Sequence, residues 1–148
     1  MKCAAMTAVR RQVFKMKERQ GSIMAETRRK PLLGLMGLSD GDPVVREKSK
    51  DVVQHQVDVI RAALEKDGRV DVVVADNLVT SVASARAEAE KLKAKGVDGT
   101  IFSYGVFPWP NFSAVAAKYG QGPYLLAAQL NPDWPGMVAM LAAGGALN

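Results

Sequence analysis

Only one cysteine, Cys3, and one histidine, His55, occur among the 148 residues. A lone thiol excludes an internal disulfide, and one imidazole beside one thiol leaves a zinc site without its usual ligands. Such sparing use of cysteine fits a reducing, cytoplasmic compartment. No apolar run approaches the ~20 residues a membrane span needs. The basic start also lacks the ~7–15-residue apolar stretch of a secretory signal, although its Arg-rich, acid-poor composition is compatible with an organellar transit peptide. Gly34, Gly37 and Gly41 do not form G-x-G-x-x-G, and no P-loop pattern occurs, which sets nucleotide and nicotinamide binding aside. His55 falls on a helix off its apolar stripe, so the chain offers no Ser/His/Asp arrangement.

What the chain does have is ordinary for a globular protein: 48% hydrophobic and 24% charged residues in one domain's length. The net charge of +5 is unevenly placed. Residues 1–30 hold nine Lys/Arg against two Glu, whereas residues 31–148 hold eleven Lys/Arg against thirteen Asp/Glu. The basic character belongs to the first segment, and the remainder is mildly acidic. Basic arms bind nucleic acid or anionic membranes, but Phe14 is the only aromatic among these charges. Residues 1–30 therefore read as a disordered or spurious extension, with translation expected to start at Met24, and neither nucleic acid nor membrane is an expected partner.

From Pro31 the pattern is regular. Apolar runs at Pro31–Leu38, Val70–Ala75, Val97–Ser103 and Pro123–Gln129 read as strands. They alternate with helices predicted from Pro43 to about Glu65, then over Val82–Lys95, Asn111–Tyr119 and Gly136–Ala146. The first helix carries Val45, Val52, Val53, Val57, Ile60 and Leu64 at helical spacing. Pro43 suits a helix start, Thr80 or Ser81 can cap the second helix, and Asp67-Gly68 and Gly96 are stops. Four β-α units with near-continuously apolar strands predict an α/β fold: an open parallel sheet flanked by helices, of Rossmann or flavodoxin type. A fifth strand is expected after residue 148, so that 31–148 reads as an incomplete domain.

In open parallel sheets ligands bind outside the carboxyl ends of the strands. Two loops there are rich in aromatics and proline, Tyr104-Gly-Val-Phe-Pro-Trp-Pro-Asn-Phe112 and Asn131-Pro-Asp-Trp-Pro-Gly136. Flat aromatic faces suit the apolar C–H side of a sugar, whose hydroxyls then need partners at the edges. The candidate site is accordingly Phe107 and Trp109 with Asp40, Asn77 and Tyr104; a Trp in such a loop can equally be a lid over the core. Asp40, Asp42 and Asp76 also fall at strand ends, where paired carboxylates can hold Mg²⁺ as in receiver domains. Those domains need an Asp where this chain has Ser103-Tyr104, and Asp-Gly and Asp-Pro commonly serve turns instead. Turn chemistry is the expectation for Asp42, while Asp40 and Asp76 stay open between the two roles. Met137 and Met140 read as core.

Asp40-Gly41, Arg46-Glu47, the Asp76–Thr80 loop, Tyr104–Phe112 and Leu130-Asn-Pro-Asp-Trp-Pro-Gly136 resemble, in order and spacing, the N-terminal domain of the L-fucose isomerase/L-arabinose isomerase superfamily. The resemblance runs from about Pro31 to the end and is nearest to the fucose-isomerase-like members. It implies a metal-dependent aldose–ketose isomerase, in which a Mn²⁺-type ion helps stabilise an ene-diol. It also implies that the metal ligands come from later domains, with no metal ligand and no catalytic residue in this chain. The implied task of this domain is to close the site of a neighbouring subunit in a homo-oligomer, offering an aromatic and a basic residue to the sugar substrate. Two positions depart from the pattern: Asp42 stands where an Arg is usual, and Phe107 aligns with the family's Trp, Trp109 lying two residues on. A non-catalytic sugar-binding module and a receiver-like signalling domain are the alternatives.

Overall fold

The computed structural model describes residues 29–147. The first 28 residues, with Cys3 and Met24, lie outside the described residues, and with them the expectations for the basic segment.

Among the described residues the alternation of apolar runs and helices becomes four strands and four helices. They are β1 (Leu32–Leu38), α1 (Pro43–Glu65), β2 (Asp71–Val74), α2 (Val82–Ala94), β3 (Gly99–Tyr104), α3 (Pro110–Tyr119), β4 (Tyr124–Ala128) and α4 (Gly136–Ala146). All strand pairs are parallel, in the order β2-β1-β3-β4. Of the two arrangements open from the sequence, this order is the one seen in flavodoxin-like sheets rather than Rossmann sheets.

Cover of the sheet is uneven. Among the described residues one face carries α1 alone, whose Val57 packs with Leu35, Val72 and Ile101. The other face carries α2, α3 and α4, whose Ala85, Ala89, Leu92, Phe112, Ala116, Ala139 and Ala143 enclose Met36, Leu38, Phe102 and Tyr104. β3 is buried along its whole length, as a central strand between two helical layers must be. The stripe on α1 differs in part from expectation. Val53 and Val57 are buried, but so are Ser49 and Gln56, whereas Val45 is exposed. Met140 packs against the core as expected, while Met137 is exposed.

Local chemistry fixes the ends of these elements. Asp42 caps α1, its Oδ1 accepting from the Val44 and Val45 N–H groups at 2.7 and 3.2 Å, with Pro43 in the first turn. Ser81 caps α2 in a reciprocal box with Ser84. Val97-Asp98, expected in β3, precedes it instead, between the Lys95-Gly96 turn and the strand. There the Asp98 carboxylate accepts from the Leu32 N–H at 2.8 Å and pairs with Arg29.

β2 departs most from its predicted course. Ala75 N–H donates to the Leu35 carbonyl, but the next bond to β1 comes from Val79, to Gly37. Two residues advance on β1 while four advance on β2, so Asp76, Asn77 and Leu78 swing out as a bulge before the chain rejoins the sheet at Val79. Leu78 folds back on Gly37, where an added Cβ would meet Leu78 Cδ2 at 2.8 Å and Val57 at 2.9 Å.

α4 starts against the end of β3: a Cβ on Gly136 would run into the Tyr104 carbonyl oxygen. Among the described residues nothing lies within 4 Å of the corresponding position at Gly145. Gly136→Ala is therefore expected to destabilise the fold by about 1–3 kcal/mol through overpacking. Gly145→Ala, in the same helix, should stabilise it by about 0.4–1 kcal/mol. Urea unfolding of the two variants checks the contrast.

Candidate functional site

With β1 and β3 adjacent at the centre and the later units placed outside them, the winding reverses between these strands. This is the switch point at which such sheets leave a crevice at their carboxyl ends. The loops that reach it are Ser39–Asp42 from β1 and 105–109 from β3.

The second loop holds its aromatic residues rigidly. Pro108 is fully buried, and Pro110 opens α3. Proline fixes the backbone on both sides of Trp109. Trp109 stands out at 60% exposure, and Phe107, half-buried against the core, meets it edge to face with ring centroids 6.4 Å apart. Phe112 underlies the neighbouring loop. A Cβ on Gly41 would touch its ring at 3.7 Å and the Thr80 carbonyl at 3.2 Å, so segments following β1, β2 and β3 pack together here.

Asp40 lies at the end of β1, half-buried, with Oδ1 accepting from the Asp42 N–H at 2.7 Å. Its other carboxylate oxygen has no protein hydrogen-bond partner among the described residues. Asp42 serves as a helix cap, as expected of turn chemistry.

Two candidate residues sit elsewhere. Tyr104 belongs to β3 rather than to the loop and is fully buried, its hydroxyl 2.7 Å from Ser113 Oγ. Burial pushes that hydroxyl up to about 12, the Ser113 bond acting the other way. It cannot offer an edge to an outside ligand and instead ties β3 to α3.

Asn77 lies in the β2 bulge, two strands and so about 10 Å from β3 across the sheet. Its amide nitrogen donates to Glu88 Oε1 at 3.0 Å. Asp76 points the same way, into ion pairs with Lys91 at 3.1 Å and Lys95 at 3.2 Å, which hold its carboxyl below the usual range. The three aspartates do not converge. Among the described residues no three His, Cys, Asp or Glu stand together as a metal site, so these residues do not fit the family's metal ion.

Glu88 is what the sequence reading missed. It is 3% exposed and accepts from the Asp76 N–H at 2.9 Å, from Asn77 and, at 2.8 Å, from Lys91. The signal was present: Ala85, Glu88, Ala89 and Leu92 share one helical face, and three of them are plainly core residues. A second omission is an open groove of about 450 Å³ beside the β4 loop, lined by Leu130, Asn131, Pro132, Trp134, Met137 and Val138.

The fold is a doubly wound α/β domain, with an aromatic pair in the loop after β3 at its switch point. The family model described as L-fucose isomerase, first N-terminal domain, matches residues 30–148, and the chain belongs to that family. Membership sets it in a sugar-isomerase context. Comparison with curated proteins and with solved structures gives no match. No helix among the described residues is long and apolar enough to cross a membrane.

Burial alone would raise the Glu88 carboxyl, but its bonds from Asn77, Lys91 and the Asp76 N–H outweigh that and hold it below its ordinary 4.5. A carboxyl lowered in the fold contributes stability above its unfolded pKa and loses it as pH falls through the folded value. Thermal melting followed downward from pH 5 should fall in the wild type and fall less steeply in Glu88→Gln, which has no charge to lose.

Proposed function

We propose that this domain closes the substrate site of a metal-dependent aldose–ketose isomerase of carbohydrate metabolism, in the cytoplasm. The observation that carries the reading is the Phe107–Trp109 pair, held by flanking prolines at the switch point of a domain of this family. A half-buried ring braces an exposed one, and the exposed ring offers a flat apolar face. Against that face the C–H side of a sugar loses water, while the open carboxylate oxygen of Asp40 accepts from a sugar hydroxyl. Tyr104 and Asn77 serve the rim indirectly: Tyr104 anchors β3 to α3, and Asn77 secures the bulge that brings Val79 and Thr80 back to the sheet.

The divalent metal belongs, on this reading, to other domains of the same protein, and the described residues contribute stacking, one hydrogen-bond acceptor and exclusion of water. The outer side of α4 supports a domain that packs against further protein, whether its own later domains or neighbouring subunits of a homo-oligomer. Val138 and Leu141 are exposed there, next to exposed Leu130.

In the full-length oligomer, Phe107→Ala or Trp109→Ala is expected to lower kcat/KM for the sugar by roughly ten- to a hundredfold, about 1–3 kcal/mol of lost contact. Metal content should stay unchanged. Tyr104→Phe should instead cost about 1 kcal/mol of stability, the worth of one buried hydrogen bond, and leave kcat/KM alone. Unchanged kinetics in a folded Phe107/Trp109 double variant would mean that the rings only cover the core.

A further inference from the structure

Beneath the rim, on the α1 side of the sheet, three buried polar side chains each carry an oxygen that lacks a protein partner among the described residues. Ser39 Oγ, Gln56 Oε1 and Ser103 Oγ are buried and make no hydrogen bond among the described residues. Ser39 and Ser103 are wholly buried, and Gln56 is 7% exposed. Side chains alternate along a strand. Leu35 and Ile101 meet α1 through Val57, so Gly37 and Ser39 on β1, and Ser103 and Gly105 after them on β3, face α1 too.

The register Gly37↔Ser103 and Leu38↔Tyr104, carried one residue further, sets Ser39 beside Gly105. Directly above, a Cβ on Gly105 would meet Gln56 Oε1 at 3.1 Å. Gln56 Nε2 reaches the carbonyl of Ala127 at 3.5 Å. Ala127 is the partner of Ser103 in β4, and that bond turns Oε1 toward Gly105. Register and strand alternation thus set Ser39 and Ser103 on the same face as Gly105, whose bare α-carbon Gln56 Oε1 overhangs. Adjacent strands are about 4.8 Å apart and same-face residues under 7 Å, and a bridging water spans about 5–6 Å between its two partners.

We propose that this floor of the β1/β3 crevice is a water-binding site, in which one internal water is held by Ser39, Ser103 and Gln56 over Gly105. The donor set matches. Gln56 Oε1 only accepts, each serine hydroxyl donates or accepts, and a water that donates to Gln56 and one serine and accepts from the other makes three bonds. That is the usual count for buried water. No carboxylate takes part, so the set carries no charge that would select a cation. Three neighbouring polar atoms left dry would each forfeit the hydrogen bond they make to solvent in the unfolded chain. The water joins α1 to the ends of β1 and β3 directly under Asp40 and the loop bearing Phe107, and it stands independently of the sugar reading.

Water-¹⁷O magnetic relaxation dispersion on the full chain counts long-lived internal waters. The double variant Ser39→Ala/Ser103→Ala is expected to hold one fewer than the wild type, and Ser103→Ala alone is expected to melt at a lower temperature. Each change removes a single oxygen and leaves the packing in place, and if the double variant does not fold, the melting temperature of Ser103→Ala decides. An unchanged count in the folded double variant overturns the proposal. So does a higher melting temperature for Ser103→Ala, because deleting a dry hydroxyl relieves the fold while deleting a hydrated one costs a bond.

Discussion

The pairing of β1 with β3 is the constraint on which the rest depends. Six residue pairs, from Leu33↔Gly99 to Leu38↔Tyr104, join two strands that are each flanked by another strand and covered on both faces. Segments as apolar as Leu32–Leu38 and Gly99–Tyr104 have no face to give to water, so helices must lie on both sides. Chain connectivity then forces α1 to one side and α2 to α4 to the other. The crevice above the pair follows from that reversal and would exist whatever residues lined it. What the loops add is chemistry: an acid from one side, two rings from the other.

The strands and helices were legible because each is a single-purpose segment. α4 begins and ends where its sequence pattern does, and the predicted helices differ from the observed ones by one residue at most. Proline, Asp42, Ser81 and glycines Gly68 and Gly96, both at positive φ, punctuate the chain where the backbone needs them. The rim was harder to read. Asn77 looked like a rim residue because it follows an apolar run, but its run resumes at Val79 after a bulge that no periodicity announces. Tyr104 looked like the start of a loop, yet strand pairing continued through it and buried its hydroxyl against Ser113. In both cases a long-range partner, Leu38 for Val79 and Leu38 again for Tyr104, decided the outcome.

Glu88 belongs to the same lesson with the opposite sign. In Ala-Glu-Ala-Glu-Lys it reads as one more solvated charge. Three donors from two elements make it the anchor of the bulge at the sheet's β2 edge. A bulge and charged groups at an edge strand also discourage another chain from adding to the sheet there. Lys91 thus joins both carboxylates, Glu88 and Asp76, and Lys95 adds a second pair to Asp76.

The two prolines around Trp109 have a mechanical consequence. A loop free to bend could sweep its ring over a bound molecule and away again. Here buried Pro108 fixes one side, and Pro110, already in the first turn of α3, fixes the other. Little conformational freedom remains to be lost when something stacks on the ring, so contact with it carries a small entropic cost. On the reading proposed above, closure over a sugar falls to the α/β body as a whole rather than to this loop.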